Sequence, residues 1–327
     1  MRVCVTGGTG FVGGALVRRL LSQGVSVQVL ARPSARAQAL RTHGVRVVLG
    51  DLRDSASIER AVEGMDVVYH VAAKVESSGT KNDFIETNAR GTERVLTACH
   101  AHGIGRVIYE SSLGVYGLVQ PGGQIDEDTP YDEHPELREF YAQSKIVADG
   151  IAISFARKSG LPLVIFRPGL IYGPGKPLPL GLLGFRVGSA NFVFGNREHH
   201  VPLNYVENLL DAMQLAAELK GSGLRQYNLV DDENLTLGQY HEVRSAEEKT
   251  QTLFLPGGLV LFGAPIADSF LRAVSFGRSG GIGLPKHQIE RALQDRWYVT
   301  RRVREELGWA PRVQLEEAVQ CSVKKPA

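Results

Sequence analysis

Thr6-Gly7-Gly8-Thr9-Gly10-Phe11-Val12-Gly13 follows a short apolar run, Val3 to Val5, and leads into an apolar helical stretch, Ala15 to Leu21. A glycine-rich turn between strand and helix brings backbone N–H groups onto a diphosphate. The glycines permit the tight turn and the close approach, and the helix N-terminus favours the anion. A glycine motif alone is weak. Here it has the strand before it, the helix after it, and further chemistry-bearing motifs downstream.

Outward from that turn the chain alternates. Short apolar runs at Val25–Leu30, Val45–Leu49, Asp66–Val71, Arg106–Tyr109 and Leu163–Phe166 read as strands buried on both faces. Helical patterns lie between them, at Ser34–His43, Ser55–Glu63, Phe84–Ala101 and Pro135–Ser159. The rhythm predicts an α/β fold built on a doubly wound parallel sheet. After Gly173 the texture changes to Gly, Pro and Leu, then a helix is expected over Val206–Lys220 and a strand over Gln226–Val230. The expected division is a dinucleotide-binding domain over 1–172, with 200–230 returning to it, and a smaller mixed C-terminal lobe over 173–199 and 231–327 that holds the substrate.

The 327 residues carry 37 Lys and Arg against 35 Asp and Glu, a net charge of +2 with no basic block, so nucleic-acid binding has no electrostatic footprint. Cys4, Cys99 and Cys321 lack metal-like spacing, as do the nine histidines, and no metal site is expected. A reduced, cytoplasmic protein with no signal peptide is the expectation. Leu253–Phe270 is apolar, but Pro256, Pro265 and Asp268 interrupt it. A buried or interfacial helix pair is expected there rather than a membrane span.

Two further motifs supply chemistry. In Tyr141-Ala142-Gln143-Ser144-Lys145, Tyr141 and Lys145 stand four apart on a helix and share a face. A phenol is a poor acid or base near neutral pH unless its anion is stabilised, and a lysine ammonium does that. Glu110-Ser111-Ser112-Leu113-Gly114-Val115-Tyr116-Gly117 closes the fifth strand, at the end of the sheet where ligands bind in open α/β folds. A serine there can hold a substrate oxygen while the tyrosine exchanges its proton.

Together these motifs resemble the extended short-chain dehydrogenase/reductase superfamily, which includes nucleotide-sugar epimerases, dihydroflavonol reductases and 3β-hydroxysteroid dehydrogenases. The resemblance extends to Gly50-Asp51-Leu52, His70-Val71-Ala72-Ala73, Asn88, Arg167-Pro168-Gly169-Leu170-Ile171-Tyr172-Gly173-Pro174-Gly175 and Glu306-Leu307-Gly308-Trp309-Ala310-Pro311. It implies a Rossmann-type fold and a catalytic set of Ser112, Tyr141 and Lys145, with Ser111 a neighbour. Lys145 is implied to orient the nicotinamide ribose and to lower the Tyr141 pKa. Gly7, Gly8, Thr9, Gly10, Phe11, Val12 and Gly13 are implied to cradle the cofactor diphosphate. The resemblance further implies that Asp51 and Leu52 flank the adenine, that Val71, Ala72, Ala73, Pro168 and Gly169 line the cofactor cleft, and that Asn88 links the central helix to the site.

Ala31 occupies the slot where NAD-type epimerases carry an aspartate, and Arg32 follows it, as in reductases that use NADPH. NADP is therefore the expected cofactor, with NAD as the alternative if Arg32 is only a solvated loop residue. Leu113-Gly114 follow Ser112 where dehydratases carry Asp-Glu and fucose-pathway epimerases carry a cysteine, so neither chemistry is expected. The readings left open are a carbonyl reductase or alcohol dehydrogenase, a nucleotide-sugar 4-epimerase and a cofactor-binding regulator. The epimerases usually carry Asn where this chain has Pro168, and an arginine where it has Val201. Arg197, His199 and His200 either substitute for that arginine or form a polar loop. The partner is a small-molecule carbonyl, alcohol or nucleotide sugar, and a homodimer is the expected assembly.

Overall fold

The computed structural model describes residues 1–75, 78–117, 123–176, 184–258 and 293–323. Its centre is a seven-stranded sheet. The chain enters through β1 (Arg2–Thr6), turns into α1 (Phe11–Ser22), and continues through β2 (Ser26–Ala31), α2 (Ala35–Thr42), β3 (Arg46–Leu49), α3 (Ser55–Val62) and β4 (Val67–His70). A long helix follows in three parts: α4 (Lys81–Phe84), a π-helical turn over Ile85–Arg90, and α5 (Gly91–Ala101). Then come β5 (Arg106–Glu110), the short strand β6 (Gln124–Ile125), α6 (Phe140–Ser159) and β7 (Leu163–Pro168).

The later elements are β8 (Leu170–Tyr172), β9 (Gly184–Val187), β10 (Ala190–Phe194), β11 (Leu203–Tyr205), α7 (Val206–Glu218), β12 (Leu224–Leu229), α8 (Leu237–Glu248), β13 (Gln251–Leu255), β14 (Trp297–Tyr298), α9 (Arg301–Leu307) and α10 (Leu315–Val323).

The sheet runs β3-β2-β1-β4-β5-β7-β12, and every neighbouring pair is parallel. The order reverses direction between β1 and β4, which makes a crevice at the C-terminal ends of those strands. This is the Rossmann-type architecture expected from the sequence. Side chains along β1 alternate between two cores. Val3 and Val5 join Leu16, Val17 and Leu209 on one face, while Cys4 joins Ile58, Leu96 and Cys99 on the other. Burial pushes the Cys4 thiol up to about 12, so it behaves as a small apolar residue.

Three expectations need correction. The helix expected over Pro135–Ser159 is broken: Pro135–Leu137 forms a 3₁₀ turn, Arg138 is extended, and α6 begins at Phe140. Arg138 leaves the helical path to pair with Asp132 (2.7 Å) and to donate to the Tyr116 carbonyl (3.2 Å), both buried contacts. The helix expected over Phe84–Ala101 starts earlier, at Lys81, where Thr80 and Asp83 form a capping box, and it carries the π turn. In Leu253–Phe270 the expected helix pair is not what begins the segment: Leu253–Leu255 belong to β13, which pairs in parallel with β10, and residues 259–270 lie outside the described residues. Among the described residues, no helix is long and apolar enough to cross a membrane, and no group of three or more His, Cys, Asp or Glu could hold a metal ion.

Candidate active site

The turn after β1 is closed by backbone. The Gly10 N–H donates to the Gly7 carbonyl (2.8 Å), and Gly7 has φ +76°, which glycine adopts without steric cost. A side chain at Gly7 would meet the Ala72 backbone at 2.9 Å, and one at Gly13 would overlap the Gly7 carbonyl. These two positions hold the turn against the β4 loop and against α1. The N-terminus of α1 has no side-chain cap and no acidic residue in its first turn. Its exposed N–H groups and dipole suit a phosphate, so the cradle fits a dinucleotide diphosphate.

A buried hydrogen-bond chain runs beneath this turn. The Ala72 N–H donates to Thr6 Oγ1 (3.2 Å), Thr6 Oγ1 meets His70 Nδ1 (2.8 Å), and His70 Nε2 meets Thr92 Oγ1 (3.0 Å). The Thr92 hydroxyl donates to the Asn88 carbonyl (2.6 Å), which can only accept. Thr92 therefore accepts from His70 Nε2–H, and Nδ1 accepts from Thr6. Burial, with help from Lys145, pulls the His70 pKa down to about 3, so this neutral form persists through the physiological range.

Asn88 sits in the π turn. Its Oδ1 accepts from the Lys74 N–H (2.7 Å), and its Nδ2 donates to the Lys74 carbonyl (3.0 Å) and to Ser144 Oγ (2.9 Å). One side chain thus ties the loop after β4 to α6, the helix that carries Tyr141 and Lys145.

At the end of β5, Ser112 Oγ accepts from the Gly114 N–H (3.0 Å), which leaves its own proton to donate. Burial pushes the Tyr141 phenol well above its ordinary value. The Glu110 carboxylate pushes it further, and hydrogen bonding to Ser112 pulls it down. Lys145 is buried, its Nζ donates to the Glu110 carbonyl (2.7 Å), and it lies 5.0 Å from the centre of the Tyr109 ring. Burial lowers the Lys145 pKa and raises that of the adjacent Glu110 carboxyl. The sequence expectation has Lys145 acting on the phenol. In the structure the Lys145 ammonium donates to the Glu110 backbone carbonyl, and burial, ahead of the Glu110 charge, is what pushes the phenol up. Ser111 is buried beside Ser112, its N–H donating to the Phe166 carbonyl (2.7 Å).

A cavity of about 250 Å³ opens beside Ser112. Leu113, Pro168, Gly169, Leu170, Val193 and Leu237 give it an apolar body, and His199, His200 and Arg296 a basic side. Gly169 packs where a side chain would overlap the Pro202 carbonyl. Arg197 does not line the cavity among the described residues. It pairs with Glu242 (2.5 Å) and faces the Phe254 ring.

After β3, Leu52 is buried against Gly91, and Asp51 is half-buried. Arg53 pairs with Asp51 (2.9 Å), and that hydrogen bond, with Arg32 also contributing, holds the Asp51 carboxyl below the usual carboxylate range. Arg32 is exposed, and Arg36 Nη1 donates to the Thr9 carbonyl (3.4 Å). Val71, Ala72 and Ala73 follow β4 as a half-buried strip against the glycine turn.

Sequence reasoning passed over Glu110, Arg53 and Asp295. Glu110 opens the serine motif itself, two residues before Ser112, and was legible there as a carboxylate, whereas Asp295 meets His200 only through the fold.

Residues 3–229 match the model of the NAD dependent epimerase/dehydratase family. The chain is 30% identical to a 2-alkyl-3-oxoalkanoate reductase of Stenotrophomonas maltophilia (strain K279a), over 98% of this chain and 97% of that protein. It is 29% identical to the 4-hydroxy-2-methyl-3-oxo-4-farnesyl-3,4-dihydroquinoline-1-oxide ketoreductase of Stigmatella aurantiaca, over 98% of this chain and 95% of that protein. In fold it is similar to the UDP-glucose 4-epimerase of Thermotoga maritima solved with UDP-glucose, with a TM-score of 0.71 and 21% identity over 99% of this chain and 97% of that one. With its glycine turn, parallel sheet and family match in agreement, the chain belongs to the NAD dependent epimerase/dehydratase family and is an extended short-chain dehydrogenase/reductase enzyme.

Proposed function

We propose that the enzyme is an NADP(H)-dependent carbonyl reductase acting on a ketone with an apolar body, with Ser112, Tyr141 and Lys145 as its catalytic set. The observation that carries this reading is the apolar cavity of about 250 Å³ that opens directly against Ser112. Relatives named for alkyl and farnesyl substrates accord with it. The epimerase alternative draws less support, because Pro168 and Val201 stand in the cavity wall where those enzymes usually carry Asn and an arginine, and Arg197 is paired with Glu242; of the candidate substitutes, His199 and His200 line the cavity.

When bound, the reduced nicotinamide supplies a hydride to the carbonyl carbon. Ser112 Oγ, which accepts from the Gly114 N–H, donates its hydroxyl proton as a hydrogen bond to the carbonyl oxygen. Tyr141 transfers its proton to that oxygen as negative charge develops there, and the product is a secondary alcohol. Burial and Glu110 hold the phenol in its protonated form, and the hydrogen bond to Ser112 works against them by favouring the phenolate that proton transfer leaves. Lys145 holds the floor of the site from the Glu110 carbonyl and carries donors to spare for a ribose hydroxyl. Ser144, tied to Asn88, fixes the phase of α6 on which Tyr141 and Lys145 depend. The NADP(H) preference rests on Arg32 and Arg36 at the adenosine end, where Asp51 is already paired with Arg53. A guanidinium suits a phosphate better than a diol.

Turnover of Tyr141→Phe, followed by NADPH consumption over a panel of aliphatic ketones, tests this. A fall of roughly 10²–10⁴ with near-unchanged NADPH affinity is expected. Wild-type rates in the variant would remove Tyr141 from the role.

A further inference from the structure

The short loop after β8 carries a cation to the glycine turn. Gly173-Pro174-Gly175-Lys176 closes on itself. The Lys176 N–H donates to the Gly173 carbonyl (2.9 Å), and the Gly173 N–H donates back to the Lys176 carbonyl (3.1 Å). Pro174 in the second position and Gly175 in the third, with φ +81°, are the residues a type II turn requires. The loop is seated on α1: a side chain at Gly173 would meet Val206 at 2.7 Å and the Phe11 ring at 3.3 Å. Backbone therefore sets the place of Lys176, and its long side chain starts beside the first turn of α1.

Two observations locate the ammonium. Lys176 Nζ lies 5.2 Å from the centre of the ring of Phe11, the first residue of α1 after the glycine turn. From the other side, burial raises the Glu110 carboxyl, and Lys145 and then Lys176 pull it back, so the field of the same ammonium reaches the end of β5. Lys176 thus stands between the phosphate cradle and the Ser112 motif, along the path a dinucleotide takes from its diphosphate to its nicotinamide. The side chain is exposed and makes no ion pair among the described residues. The first turn of α1 has no acid to take the cation instead. A ring face holds an exposed ammonium weakly, and a phosphate outcompetes it.

We infer that Lys176 is a cofactor-binding residue whose ammonium pairs with the nicotinamide-side phosphate of the dinucleotide, opposite the N–H groups of the glycine turn. The inference rests on the cofactor part of the proposed function and is independent of the substrate. It divides the cationic work in two. Arg32 serves a 2′-phosphate that only NADP(H) carries, whereas Lys176 serves a phosphate common to NADP(H) and NAD(H). Lys176 therefore sets how tightly a cofactor is held and leaves the choice between cofactors to Arg32.

Isothermal calorimetry of the wild type, Lys176→Gln and Lys176→Arg with NADPH, NADH, ADP-ribose and AMP tests this. AMP carries the adenosine-side phosphate alone, and ADP-ribose carries both without the nicotinamide. Lys176→Gln should weaken NADPH, NADH and ADP-ribose by the same factor, about tenfold, and leave AMP within about twofold. Lys176→Arg should recover most of the loss. Added salt should cost the wild type more NADH affinity than it costs Lys176→Gln. Thermal melts check the fold, which an exposed side chain on a backbone-closed turn should leave unchanged. Wild-type NADH affinity in Lys176→Gln overturns the inference, as does a loss that falls equally on AMP. A rise confined to the KM of the ketone also overturns it, by assigning the cation to the substrate. If the wild type binds neither NADPH nor NADH, the cofactor reading itself falls and this inference with it.

Discussion

Asp149 stands one helical turn beyond Lys145 on α6, and it holds the catalytic helix to the sheet through Arg167 of β7. Arg167 Nε and Nη2 donate to Asp149 Oδ2 (3.0 and 2.6 Å), Nη1 meets the Tyr116 hydroxyl (2.7 Å), and Nη2 also donates to Gln226 (2.7 Å). The side chains of Arg167 and Asp149 are 1% and 0% exposed. Asp149→Ala leaves a guanidinium buried among neutral partners. Breaking one side of such a pair costs about 3–5 kcal/mol. With an unfolding entropy of about 2.1 cal/mol/K per residue over 327 residues, that is a fall in Tm of roughly 4–7 °C. Differential scanning calorimetry of the purified protein reads this directly. Asp149→Leu combined with Arg167→Met removes both charges and should recover most of the loss. A fall of less than about 1.5 °C for Asp149→Ala would mean that Tyr116 and Gln226 suffice to hold the guanidinium, and the argument from charge would be wrong.

Gly13→Ala puts a methyl group onto the Gly7 carbonyl, so the turn must open. Isothermal calorimetry should find cofactor affinity lowered by about tenfold or more, with a stability loss of about 1–3 kcal/mol from overpacking. Arg32→Ala should weaken NADPH about ten- to a hundredfold and leave NADH unchanged; equal losses for both cofactors would contradict a 2′-phosphate role. Glu110 raises the Tyr141 pKa and holds up that of Lys145, so Glu110→Gln lowers both. If reduction needs both protonated, the alkaline limb of the pH–kcat profile moves to lower pH. The same variant bears on stability. The Glu110 carboxyl is raised in the fold, so the native state holds the extra proton above the ordinary carboxylate range, and wild-type stability declines as pH rises through that interval. In Glu110→Gln that decline should shrink in urea melts taken across the acid range.

The sheet was legible in sequence because its strands are short apolar runs buried on both faces. Ser26–Ala31 and Leu163–Pro168 differ from the expected Val25–Leu30 and Leu163–Phe166 by a residue or two at their ends. The glycine turn was equally plain, since few other patterns put glycine where backbone must touch backbone. What escaped was set by distant partners. The break before Phe140 depends on Arg138 finding Tyr116, twenty-two residues away. The small sheet of β9, β10 and β13 joins segments some sixty residues apart, and its register follows no local rule. The Glu110 charge beside Tyr141 was not legible from the Tyr-Lys spacing, because β5 and α6 meet only in the fold.

The π turn at Ile85–Arg90 has a bearing on which sequence changes this helix can inherit. A π turn accommodates more residues than the α-helix on either side of it, and each residue in an α-helix advances the phase by about 100°. Losing one residue of the turn between Asn88 and Gly91 would relax it to ordinary helix and rotate Asn88 by roughly that angle relative to α5. Its amide would then leave both Lys74 and Ser144. Substitutions on the exposed face, at Arg90 or Thr97, preserve the phase and are tolerable, but the count of residues is fixed. Related chains should vary in letters through this stretch and hold its length constant, with a one-residue deletion in the laboratory costing activity out of proportion to the contacts it removes.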